Sequence, residues 1–104
     1  MKRMPLRFAV SLRTGFFKTE RYALVVLSDA LAFVKESGDG GEKEQRALIP
    51  YSEIKSVTVC SCHPAEIEVR TFSETYVGTF LEAKEAEAAA AVLRFLLGGR
   101  FTAV

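Results

Sequence analysis

The feature that most constrains this chain is a change of period at Leu81–Glu82. Before it, apolar residues recur at every second position or run in short blocks between turn residues, as strands require. From Glu82 the segment EAKEAEAAAAVLRFLL is built from strong helix formers, with acid in its first turn and Arg94 in its last. Gly98-Gly99 supplies the stop. Strand after strand followed by one terminal helix excludes a parallel sheet built from βαβ units.

The strand pattern divides into seven segments. Leu6, Phe8, Val10 and Leu12 alternate with Arg7, Ala9, Ser11 and Arg13, the mark of a half-buried strand. Thr14-Gly15 offers a turn. Arg21 to Leu27 is apolar on both faces and reads as a central strand. The short break Ser28-Asp29 before Ala30–Lys35 predicts a tight hairpin. Residues 36–45, ESGDGGEKEQ, form the one clear loop. Arg46–Ile49 is a short strand ended by Pro50, and Tyr51-Ser52-Glu53 a single helical turn. Ile54–Cys60, Ala65–Thr71 and Thr75–Leu81 complete the set, with a turn at His63-Pro64. The expectation is a mainly β fold, a seven-stranded antiparallel barrel or sandwich capped by a C-terminal helix from about Glu82 to Leu97. Ala86, Ala89, Ala90, Leu93 and Leu97 should be the core stripe of that helix.

A chain of 104 residues makes one domain, 1–104, with its core in about 6–98. With 49% apolar and 26% charged residues it has ordinary globular composition, and needs neither disulfide nor metal to fold. No apolar run approaches the roughly 20 residues of a membrane span. Arginines interrupt the apolar part of MKRMPLRFAVSLRTG too early for a secretory signal, so a cytoplasmic location is expected, with attachment to a membrane surface as an option. Met1 is read as a natural N-terminus, although the sequence does not distinguish a whole protein from an excised domain. Net charge is +1 overall, but residues 1–21 carry +5 and the remainder −4. Such an edge suits an anionic or acidic partner, or simply solvates a strand and its loop.

The segments RYALVVLSDALAFVK, IPYSEIKSVTV, IEVRTFSETYVGTF and the helix together resemble the pleckstrin-homology (PH) superfold, including bacterial PH-like and GRAM domains. The resemblance rests on Arg21-Tyr22, Leu27-Ser28-Asp29, Leu31 and Phe33, and on Ile49-Pro50-Tyr51-Ser52-Glu53-Ile54. It covers about residues 6–98; the tryptophan usual in that family's helix is absent here, its place falling near Ala90 or Ala91. The resemblance implies a barrel closed by the helix and, in some members, a lipid-headgroup site of basic residues on the first two strands. Arg13, Lys18 and Arg21 are the counterparts here, with Thr19 where a further cation would stand and Glu20 as an opposing charge. Several convergent cations are what a polyphosphate needs, whereas three suit loose attraction to anionic lipid. Phe16 and Phe17 beside them either enter a lipid interface or fold back as core.

Catalytic signals are poor. His63 is the single histidine and has no nucleophile elbow to serve. Glu66 and Glu68 alternate with Ile67 and Val69 as on any solvated strand. Gly38-Asp39-Gly40-Gly41 lacks the Lys-Ser/Thr of a phosphate loop and the spacing of a calcium loop. Cys60, Cys62 and His63 fall short of a four-ligand zinc set. They read as small buried or edge thiols beside a turn, and a Cys60–Cys62 disulfide is not expected within a regular strand. No enzyme, metal or cofactor is expected. On the helix, Ala88, Val92 and Phe95 make a second apolar face next to the core stripe. Deep burial is the expected reading; contact of Val92 and Phe95 with a partner or a second copy is the alternative. The sequence therefore points to a non-catalytic PH-like module, acting as adaptor, scaffold or targeting domain on a protein partner or, with anionic lipid or phosphoinositide, at a membrane surface. The alternative is a homo-oligomeric structural protein joined through the helix face or a strand edge. Nucleic acid is not an expected partner.

Overall fold

The computed structural model describes residues 6–15, 18–35 and 44–104, without the side chains of residues 14, 15 and 44–46. Phe16, Phe17 and most of the glycine-rich loop lie outside the described residues. Strands β1 (Leu6–Gly15), β2 (Lys18–Val26), β3 (Ala30–Lys35) and β4 (Glu44–Pro50) run up and down in sequence order. A 3₁₀ turn, Tyr51–Glu53, leads to β5 (Ile54–Cys60), β6 (Glu66–Thr71) and β7 (Thr75–Phe80), followed by α1 (Ala83–Leu97). A second 3₁₀ turn, Gly98–Arg100, then leads to a short strand β8 (Phe101–Ala103).

All eight strands belong to one sheet in the order β4-β3-β2-β1-β7-β6-β5-β8. The expectation of seven antiparallel strands in a barrel is corrected in two respects. The sheet is open, with β4 and β8 at its edges, and it is mixed, because β8 lies parallel to β5 through Val57–Phe101 to Val59–Ala103. The physical reason is the helix stop. Gly98 takes φ +58°, a left-handed conformation that glycine adopts at no steric cost, and the reversed chain reaches the free edge of β5. Among the described residues, no helix is long and apolar enough to cross a membrane.

The sheet curls around a single main core. Phe8, Val10 and Leu12 of β1 face it, as do Tyr22, Leu24, Leu31, Phe33, Ile54, Val57, Ile67 and Val69. Leu6, placed by its alternation on that face, is instead 45% exposed at the start of β1. β2 is buried on both sides, as a central strand should be: Ala23 and Val25 join Ala32 in a second small cluster, with Leu27 and Val34 packed against it. A register shift between Ile54 and Ser56 lets Ile54 and Val57 both reach the main core. Ala86, Ala89, Leu93 and Leu97 of α1 are buried against the same core, and Ala90 is partly buried there.

Side chains add contacts where strand pairing stops. Pairing of β1 with β7 covers Val10 to Leu12; just beyond it, the Ala9 amide donates to the Glu85 carboxylate of α1 at 2.7 Å. Removing that acceptor leaves a half-buried N–H without a partner. Glu85→Ala is thus expected to cost about 1–3 kcal/mol in chemical denaturation, with Glu85→Gln recovering much of it because an amide oxygen still accepts. Equal stability of Glu85→Ala and wild type would show that the contact does not hold α1 to β1. At the other side of the core, the Arg100 guanidinium ties the second 3₁₀ turn to the first and to the start of β5, donating to the carbonyls of Tyr51 and, at 3.1 Å, Ile54. The Tyr51 hydroxyl donates to the Leu27 carbonyl. Burial, and after it the negative charge of Asp29, pushes that phenol above its usual value of 10.0, so it keeps its proton for this bond.

Candidate functional site

Two surfaces carry the residues that the sequence singles out. On the first, Arg21 lies opposite Ser11 and Arg13 opposite Thr19, both arginines exposed on the outward face of β1–β2. They are diagonal neighbours, a relation in which side chains stand roughly 7–8 Å apart. Lys18 is exposed too, but it lies opposite Gly15 beyond a register shift, at the far end of the ladder. Glu20 lies opposite Leu12 and thus belongs to the other face, where it pairs with Lys35 at 2.9 Å. The three cations therefore do not all share one face, and the carboxylate between them is engaged elsewhere.

The cysteine turn departs from expectation. Cys60 and Cys62 form a disulfide, with their Cα atoms 5.3 Å apart. The expectation holds only for a strand continuing through both residues, whereas β5 ends at Cys60 and the chain bends at Cys62, His63 and Pro64. Beyond the strand Cys62 no longer follows the pleat, and the Cα separation falls within the range a disulfide spans. His63 is exposed in the same turn, and the His63–Pro64 peptide is cis. Among the described residues, no group of three or more His, Cys, Asp or Glu side chains is placed to hold a metal ion.

The second surface is the outward side of α1. The expected deep burial of both apolar faces is corrected here. Val92 is half-buried and packs against the core, but Phe95 is 87% exposed, more than any other large apolar side chain of the described residues. The reason lies in helix geometry: Leu93 and Leu97 point to the sheet, so Phe95, about two residues' rotation from each, is carried to the far side. Ala91 lies one turn back from it and Ala88 two turns back on the same face, and both are exposed as well. Glu87 and Arg94 flank this stripe on one side, both exposed. The Arg94 guanidinium sits 5.6 Å from the centre of the Phe101 ring, which anchors it at the border of the stripe. Exposed Phe72, by contrast, lies in the β6–β7 turn with the Lys55 ammonium 5.9 Å from its ring centre. Phe95 makes no ring or cation contact with any described residue. Helical spacing shows Phe95 to be on a second face; it does not show whether the sheet reaches around that far. Ala91, Glu87 and Arg94, which complete the surface, become significant only once its orientation is known.

No family model matches the sequence, and no curated protein matches it. A chain in the solved structure of the Spt16D–Pob3N heterodimer is similar in fold, with a TM-score of 0.63 at 11% sequence identity. The likeness covers 97% of the present chain and 54% of that one, so this chain spans about half the length of its structural neighbour. At such identity the similarity concerns fold alone. Together with the strand succession and the C-terminal helix, it supports a PH-like fold for nearly the whole chain.

Proposed function

We propose that this chain is a non-catalytic PH-like binding module, an adaptor, scaffold or targeting domain whose docking surface for a protein partner is the outward face of α1. The observation that carries the reading is Phe95, 87% exposed while the opposite side of the same helix is fully engaged in the core. Covering a phenylalanine gains about 1.5–3 kcal/mol, and aromatic side chains, Phe among them, are enriched in the cores of protein interfaces. The structural neighbour is itself part of a heterodimer, which shows a chain of this fold taking part in a protein assembly. An anionic membrane is the less favoured occupant, because of Arg13, Lys18 and Arg21 only the two arginines share an outward face, and they lie on strands, away from the helix stripe.

Photo-crosslinking tests the assignment. A benzophenone side chain replacing Phe95, in the full chain expressed in its source cells, is expected to give a discrete protein adduct. The same group replacing Ser73, exposed in the β6–β7 turn, is expected to give none. Absence of any protein adduct from position 95, with sedimentation on anionic vesicles that Arg13→Glu and Arg21→Glu abolish, would move the function to the membrane surface.

A further inference from the structure

We propose that the outward face of α1 binds the same face of a second copy of this chain, with the two helices antiparallel about a two-fold axis near Ala90–Ala91. The inference rests on the reading above that this face is a docking surface, and it names the occupant.

The face is complementary to itself. Along the face lie one large protrusion, Phe95, one shallow depression made by the exposed alanines Ala88 and Ala91, and, at its N-terminal end, the exposed Lys84. Side chains on a helix lean towards its N-terminus. In an antiparallel pair centred near residue 90, Phe95 of one copy therefore leans back over Ala88 of the other. Small residues at the crossing let the axes approach to the close end of the 8–10 Å range. Each copy thus supplies both halves of the fit, as a two-fold contact requires.

The charges obey the same symmetry. Glu87 and Arg94 are seven residues apart, close to two helical turns, so both stand on the same flank of the stripe. When two helices run antiparallel, equal flanks face one another. An axis midway between the two residues sets Glu87 of each copy against Arg94 of the other, giving two opposite-charge pairs at the rim. Within the chain, Glu87 makes no ion pair with any described residue, and Arg94 is already fixed at the border by Phe101. A parallel arrangement loses both pairs. The contact involves only one helix from each copy, and small interfaces below the roughly 1,000 Å² that stable ones clear are weak and transient, so the dimer is expected to form at high concentration and dissociate on dilution.

Sedimentation velocity across a concentration series of the full chain tests this. Wild type is expected to shift from monomer to dimer. Phe95→Asp removes the anchor twice per dimer and is expected to weaken association at least about 100-fold, with an unchanged melting curve because the residue is exposed. Glu87→Arg alone and Arg94→Glu alone each place like charges in opposition and are expected to be monomeric. An equimolar mixture of these two variants is expected to form a one-to-one heterodimer, since both pairs are then restored. Should Arg94→Glu disturb the fold by releasing Phe101, Ala91→Cys provides an independent measurement. Near the axis it is expected to form a disulfide-linked dimer under mild oxidation, while Ala83→Cys at the start of the helix is not. A wild type that remains monomeric throughout overturns the second copy as occupant. If the crosslink from position 95 still captures a different protein, the docking surface stands with another partner; if it captures nothing, both readings fall. A wild-type dimer whose charge-reversed variants do not pair with one another overturns the antiparallel geometry.

Discussion

Replacing Leu93 by alanine is expected to lower stability by about 2–5 kcal/mol, through lost transfer free energy and the cavity left behind. Leu93 is completely buried, and its neighbours along the inner side of α1 are Ala86, Ala89 and Leu97. Two of those are too small to close over the gap, which argues for the upper half of the range. Domains of this kind hold about 5–15 kcal/mol in total, so the variant should have a much lower urea midpoint at an unchanged slope. A loss below about 1 kcal/mol would show that α1 is an appendage and not a wall of the core.

Phe33→Ala is expected to be at least as severe, about 3–5 kcal/mol. The ring is fully buried in β3, where its backbone pairs with Leu24 on one side and Ala47 on the other. Its centre lies 5.5 Å from the ring of Tyr76, tilted by 32°. Tyr76 belongs to β7, which shares no ladder with β3, so this aromatic contact joins the two curled halves of the sheet across the core. Near-UV circular dichroism and thermal melting of Phe33→Ala and Phe33→Leu should separate loss of the ring contact from loss of volume, with leucine recovering much of the stability. Unchanged melting of the alanine variant would mean that the halves do not depend on one another.

Most of the fold was legible because local pattern and tertiary demand agree. Alternation in β1 from Phe8 to Leu12, two-sided apolarity in β2 and the helix stripe through Ala86, Ala89, Leu93 and Leu97 are all properties of neighbouring residues, and the structure uses them as they stand. β8 was not legible: of its three residues only Phe101 is buried, and three residues carry no period. The Cys60–Cys62 bond was missed because its geometry depends on where β5 stops, which spacing within a presumed strand does not reveal. At the candidate site, Phe95 and Val92 were identified as a pair, yet the sheet separates them by covering one and leaving the other bare. How far a sheet wraps around a helix is decided by its curvature, a property of the whole assembly.

The manner in which β5 acquires its outer neighbour has a consequence for synthesis. β1 to β4 join strands adjacent in the chain, contacts of short sequence separation whose partners are all made early in synthesis. β5 must wait, since its second neighbour, β8, appears only after two more strands and the whole of α1 have been made. Arg100, which ties that last segment to Tyr51 and Ile54, bridges sequence separations of 49 and 46 residues. A nascent chain stopping short of Phe101 therefore has every partner of β1 to β4 in hand but an unpaired β5 border, the kind of exposed edge that templates pairing with another chain.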